Sequence, residues 1–137
     1  MPTIRPFKLS KWERICGRTL LEKLFTGGKS KSFSVFPLRV VYLLTNQPDG
    51  DLQHEAPVKM MVSVSKRHFK RAVKRNRVKR QVREAYRLNK EIVVSSMADS
   101  PNRQLLLGFI WMSDELHDTD TVERSMQVLL KRVADKL

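Results

Sequence analysis

KRHFKRAVKRNRVKRQVREAYRLNK, residues 66–90, concentrates the charge of this chain: twelve lysines or arginines face a single acid, Glu84, for a net +11. The whole chain carries +13. The remaining residues hold 15 basic and 13 acidic side chains, an ordinary +2 for a soluble domain. Charge held so locally marks a binding surface rather than a generally basic protein. A basic tail has no reason to sort its apolar residues, yet here they are sorted. Val78, Val82, Ala85, Tyr86, Asn89 (polar, but in phase), Ile92 and Val93 recur at the i, i+4, i+7 spacing of one helical face. Asn76, Arg77, Lys79, Arg80, Arg83 and Arg87 take the opposite arc. The pattern predicts an amphipathic helix with valines on a core and arginines presented to an anionic partner.

Upstream of it, Val58, Met60, Val62 and Val64 alternate with Lys59, Met61, Ser63 and Ser65, a strand with one apolar face and one small, polar face suited to lining a groove. Residues 45–57, TNQPDGDLQHEAP, read as a turn-rich loop making a hairpin connection to the strand before it. That strand lies within Phe33–Leu44, with Pro37 marking a bend or edge that divides the run. A short helix precedes it: Thr19 and Glu22 have capping-box spacing, Leu20, Leu21, Leu24 and Phe25 form a stripe, and Gly27-Gly28 stop it. Ser10 and Glu13 can cap a further turn.

Downstream, residues 95–103 read as a loop and Leu105–Met112 as a central buried strand. Asp118 or Thr119 caps a last helix whose Val122, Met126, Leu129, Leu130, Val133 and Leu137 share a face. The order α-β-β-β-α-β-α predicts an α+β sandwich, one mixed sheet packed by helices. At 137 residues, 41% of them hydrophobic, a single domain spanning 1–137 can bury its own core. Residues 1–15 form a basic arm that can order on a polyanion.

Cys16 is alone, so no disulfide framework or thiolate cluster is expected. No run of about 18 apolar residues reads as a membrane span, and residues 1–15 lack a signal-peptide core, so the cytoplasm is the expected compartment. No obligate protein partner is evident. His54, His68 and His117 have no metal-ligand spacing, and Asp49, Asp51 and Glu55 lack the calcium-loop pattern. No nucleophile elbow, phosphate-binding lysine loop or paired carboxylates on a helix are present. Gly27-Gly28 is more simply a helix stop than a phosphate cradle. If the chain takes part in catalysis, another component supplies the chemistry.

Phosphate binding is what the basic helix can do. Guanidinium groups engage phosphate oxygens in pairs, lysines act as point charges, and Asn76 offers a donor and an acceptor to a ribose hydroxyl or base edge. Phe25, Phe33, Phe36 and Tyr42 could stack on bases, although each fits a core as well. A DNA-reading helix-turn-helix is disfavoured because Val58–Ser65 reads as strand where the first helix belongs.

Val62-Ser63-Val64-Ser65-Lys66, Ala72 to Arg80 with its central Arg75-Asn76-Arg77, and Arg83-Glu84-Ala85-Tyr86-Arg87 together resemble the signature of the bacterial ribonuclease P protein subunit. Residues 21–30 resemble that family's first helix and glycine turn, and Arg39-Val40-Val41-Tyr42 its aromatic-bearing strand. The resemblance covers roughly residues 9–135. It implies a left-handed βαβ crossover and an RNA-binding subunit that helps a catalytic RNA remove the 5′ leader of precursor tRNA. It implies further that Arg75, Asn76, Arg77, Lys79, Arg80, Arg83 and Arg87 contact the catalytic RNA. A cleft between sheet and first helix would hold the leader through Phe25, Tyr42, Ser63, Ser65 and Lys66. Mg2+ would be held mainly by the RNA, and no catalytic residue is expected in the protein. Leu21, Met61 and the His68–Arg71 link depart from the family pattern, where phenylalanine, glycine and a shorter glycine-containing link are usual. A structural RNA-binding protein of the ribosomal type, with no part in cleavage, is the alternative reading, and a duplex-DNA regulator is a third.

Overall fold

A computed structural model describes residues 24, 25, 28, 30–46, 58–98 and 103–137. The expected arm, the Ser10 turn, the Thr19 cap, His54, Cys16 and the acids at 49, 51 and 55 lie outside the described residues, as does most of the first helix. Leu24 and Phe25 are helical. The strands are β1 (Lys31–Val35), β2 (Leu38–Asn46), β3 (Val58–Ser63) and β4 (Arg103–Trp111); the helices are α1 (Ala72–Asn89), α2 (Glu91–Met97) and α3 (Thr119–Asp135).

The strands form one sheet in the order β1-β2-β4-β3. β1 and β2 make the hairpin, turning through Phe36-Pro37 at a cis peptide, so Pro37 divides the extended run as its missing donor requires. The expected hairpin between β2 and β3 does not form. β4 lies between them, antiparallel to β2 and parallel to β3. Residues 104–109 of β4 are buried on both faces, in keeping with a central strand covered by layers above and below. The return from β3 to β4 runs through α1 and α2, as a parallel connection needs.

Alternation divides the sheet into two faces. Leu38, Val40 and Tyr42 of β2, Val58, Met60 and Val62 of β3, and Leu105, Leu107, Phe109 and Trp111 of β4 point into the main core. Val78, Val82, Ala85 and Tyr86 of α1, Val93 and Met97 of α2, and Val122, Met126, Leu129, Leu130 and Val133 of α3 cover them. Each such side chain contributes about 1.5 to 3 kcal/mol on leaving water. The other face carries a smaller cluster, Leu24 with Leu106, Val41, Leu43 and Met61.

Two boundaries differ from the sequence reading. The basic helix breaks at Lys90 rather than running on through Val93: the Asn89 side chain donates back to the Ala85 carbonyl (2.8 Å), competing with the backbone ladder, and α2 begins one residue later. Ser95, Ser96 and Met97 are helical rather than loop, because the two hydroxyls are satisfied within α2 by the Glu91 and Ile92 carbonyls. At α3 the Asp118 side chain accepts from the Thr121 amide (3.0 Å), the cap the spacing predicts.

Candidate nucleic-acid interface

α1 starts without help from its own sequence. Arg71 at the N-cap is extended and makes no side-chain cap, and the first turn holds no acid to meet the positive end of the helix dipole. What holds it is the core face, together with tethers just before it and at its middle. Phe69 is buried in the core, His68 Nδ1 lies 2.6 Å from Asp114 Oδ1, and Gln81 donates to the His117 carbonyl (2.8 Å). The His68–Arg71 link, where the chain departs from the family pattern, is thus anchored at both of its first two side chains.

The basic side chains have unequal roles. Asn76, Arg77 and Arg80 are exposed and, with Val73, line an open concavity of about 420 Å3. Lys79, Arg83 and Arg87 are half-buried along the same helix. Arg75 is turned back: its Nη1 donates to the Phe69 and Lys70 carbonyls (2.9 and 2.8 Å), tying the lead-in loop to the first helical turn. Arg87 pairs with Glu84 through Nε (2.9 Å) and Nη2. That hydrogen bond holds the Glu84 carboxyl below its ordinary range and raises the Arg87 guanidinium. Nothing in the periodicity separates Arg75 from Arg77, since the difference lies in the loop each one meets.

The second surface is the sheet face away from α1 to α3. Phe25 lies across β4 there, 43% exposed, over Gly108, where a Cβ would stand 2.9 Å from both Leu24 Cδ2 and Phe25 Cζ. Ser63 shares this face, in register with Ile110 of β4, which in turn pairs with Arg39 of β2. Ser65 and Lys66 follow on the exposed turn leading to α1; the Ser65 hydroxyl accepts from the Arg67 amide (3.1 Å) and its carbonyl from His68 and Phe69. Met61 packs with Leu24 where the family has glycine.

Tyr42 is not brought to this surface. Strand alternation turns it to the helix-covered face, opposite Leu107, with its ring stacked on Phe33 at 5.6 Å. Its hydroxyl is buried with no hydrogen-bond partner among the described residues, and burial raises its pKa. The expectation of one cleft holding both Phe25 and Tyr42 is therefore corrected: they lie on opposite faces of the sheet. Phe33 is likewise on the helix side, and Phe36 stands at the hairpin turn, edge-on to His117 (5.4 Å). Gly108, Ile110 and Arg39 were missed in the sequence. The signals were present: Gly108 is a lone glycine in a continuous apolar run, and Arg39 is the one charge in residues 38–44.

Among the described residues no three His, Cys, Asp or Glu side chains converge to hold a metal ion, and no helix is long and apolar enough to cross a membrane.

Residues 9–133 match the family model described as Ribonuclease P. A Ribonuclease P protein component of Porphyromonas gingivalis is 48% identical over 130 residues, covering 93% of this chain and 88% of that protein. One from Chlorobaculum tepidum is 33% identical over 131 residues, covering 91% and 82%. In solved structures, the RNase P protein from Thermotoga maritima aligns with a TM-score of 0.61 at 23% identity, covering 88% of this chain and 96% of that one. A Staphylococcus aureus RNase P protein mutant aligns at 0.65 and 20% identity, covering 90% and 89%. Fold, basic helix and sequence together define the RNA-binding protein subunit of a tRNA-processing nuclease. The chain belongs to the bacterial ribonuclease P protein component family, part of the endoribonuclease that matures tRNA 5′ ends, and membership implies partnership with RNase P RNA.

Proposed function

We propose that the chain grips two RNAs with two surfaces joined by the β3–α1 segment. The outer arc of α1, with Asn76, Arg77, Lys79, Arg80, Arg83 and Arg87, docks on the catalytic RNA. Arg75 serves that contact chiefly by fixing the loop before the helix. Phe25 and Ser63 on the open sheet face, with Ser65 and Lys66 on the turn that leaves it, receive the single-stranded 5′ leader of precursor tRNA, Phe25 by stacking and the others by polar contact. The crossover from β3 to β4 is left-handed, as the family implies, and the holoenzyme works in the cytoplasm. Tyr42 supports this surface from beneath. The observation that carries the reading is continuity: the segment holding Ser63, Ser65 and Lys66 runs directly into the helix whose first turns carry Arg75-Asn76-Arg77, which would hold leader and catalytic RNA in fixed relation.

Mg2+ held mainly by the RNA would supply the hydrolytic chemistry. This chain's contribution is positional: its cations offset phosphate repulsion and its sheet face holds the leader beside the cut. The test is reconstitution with a bacterial RNase P RNA at low magnesium. The protein should raise 5′-leader cleavage and make precursor affinity depend on leader length; no gain over RNA alone would refute the reading.

A further inference from the structure

The open sheet face carries a row that runs across the strands rather than along them. Ser34 of β1, Arg39 of β2, Ile110 of β4 and Ser63 of β3 are register partners in turn. Four strands at about 4.8 Å spacing make this row roughly 14 Å long. Phe25 lies over Gly108, one pleat away on the same face, so the row is the rim of the surface that Phe25 half covers. None of its four members is buried: Ser34 is exposed and the other three are half-exposed.

Arg39 is the charged member. Its Nη2 donates to the Ser32 hydroxyl at 3.2 Å, a neutral acceptor on the neighbouring strand, and among the described residues no carboxylate pairs with it. A guanidinium so placed has donors left for a further partner, while Ser32 fixes which way the fork points. Arginine near the start of an otherwise apolar strand gives up β-packing, and a pure hairpin role would be met as well by an uncharged donor. What the row offers from β3 to β1 is hydroxyl, apolar floor, guanidinium, hydroxyl: the alternation a single-stranded nucleic acid presents in sugar, base and phosphate.

We propose that Arg39 holds a leader phosphate, so that the single strand passes from Ser63 across Ile110, beside Phe25, and out over the β1 edge. The inference rests on the leader-binding reading of this face and adds its direction and a contact that the family resemblance does not assign. Arg39 sits two strands from Ser63, so its contact comes later along the leader than those of Ser63 and Ser65. Its effect therefore depends on leader length.

The experiment measures precursor tRNA affinity of the reconstituted holoenzyme for a long leader and for one trimmed to a single nucleotide. Arg39→Gln and Arg39→Lys are compared with the unchanged chain, alongside melting of the free protein. Arg39→Gln is expected to weaken long-leader binding about tenfold, as loss of a charged hydrogen bond does. It should leave the trimmed precursor and catalytic-RNA assembly unaffected, and Arg39→Lys should recover part of the loss. Equal loss for both leaders, or no loss for either, overturns the proposal while leaving the sheet-face reading intact. If the unchanged chain itself shows no dependence on leader length, that reading falls and this inference with it.

Discussion

The ring of Phe25 rests on Gly108 so closely that a Cβ at position 108 would stand 2.9 Å from Phe25 Cζ. The same Cβ would meet Leu24 Cδ2 at 2.9 Å, and the two neighbours differ in their freedom to move. Phe25 is partly exposed and can swing outward; Leu24 is fully buried and cannot. Gly108→Val should cost about 1 to 3 kcal/mol through overpacking. Gly108→Ala should sit at or below the low end, because it also restricts the unfolded chain. Both should shift Phe25 and weaken long-leader precursor binding more than assembly with the catalytic RNA. Denaturant melts and binding titrations on the same variants check this. Unchanged precursor affinity in Gly108→Val would remove Phe25 from the leader surface.

Arg75 and Arg77 stand two residues apart and should behave as different kinds of residue. Arg75→Ala deletes two hydrogen bonds to backbone carbonyls at the start of α1, so the free protein should lose about 1 to 3 kcal/mol of stability. Arg77 is exposed on the outer arc, so Arg77→Ala should leave melting unchanged. It should weaken binding to the catalytic RNA and flatten the log–log salt dependence by roughly 0.7 to 0.9 for one lost phosphate contact. Thermal melts without RNA, then titrations across a salt series, separate the two. A stability loss of the same size in Arg77→Ala would contradict the division.

That pair also shows how far the sequence could be read. Val78, Val82, Ala85 and Tyr86 set the buried face of α1 by spacing alone, and the residues opposite them are exposed or half-exposed as a helical period dictates. The apolar run of β4 likewise announced a central strand. The neighbours of that strand were not legible, because a turn-rich loop suits a hairpin and a wider connection equally well; it is the pairing of β4 with both β2 and β3 that excludes the hairpin. Which face a strand residue takes is nearly lost in the same way. Leu38–Leu44 is apolar on both sides apart from Arg39, so that one charge is the whole signal that the face of residues 39, 41 and 43 turns outward and Tyr42 inward.

Tyr42→Phe tests that inward placement. The hydroxyl is buried without a partner among the described residues, and its removal deletes an uncompensated desolvation cost while keeping the stack on Phe33. Stability should be unchanged or rise by up to about 1 kcal/mol. Precursor affinity should not fall, whatever the leader length. A clear loss of long-leader binding in Tyr42→Phe, with normal melting, would place the hydroxyl on the leader and contradict the sheet-face geometry.

Glu84 is the only acid in the basic stretch, and it is spent on Arg87, its neighbour one turn on. Because the hydrogen bond from Arg87 lowers the carboxyl's pKa, the pair contributes above the unfolded carboxylate range and is lost only as pH falls through the still lower folded value. At neutral pH it is fully formed, so Arg87 presents less net charge to a polyanion than Arg77 or Arg80. Replacing the acid by Glu84→Gln removes one negative charge and loosens that hold. Affinity for the catalytic RNA should rise severalfold at low salt, with a steeper salt dependence, and the gain should vanish at high salt, where exposed charges are screened. The comparison belongs at pH 7, since at acid pH the unchanged chain would approach the variant by protonation. If Glu84→Gln binds the RNA no better at low salt, Arg87 does not reach a phosphate and the outer arc ends at Arg83.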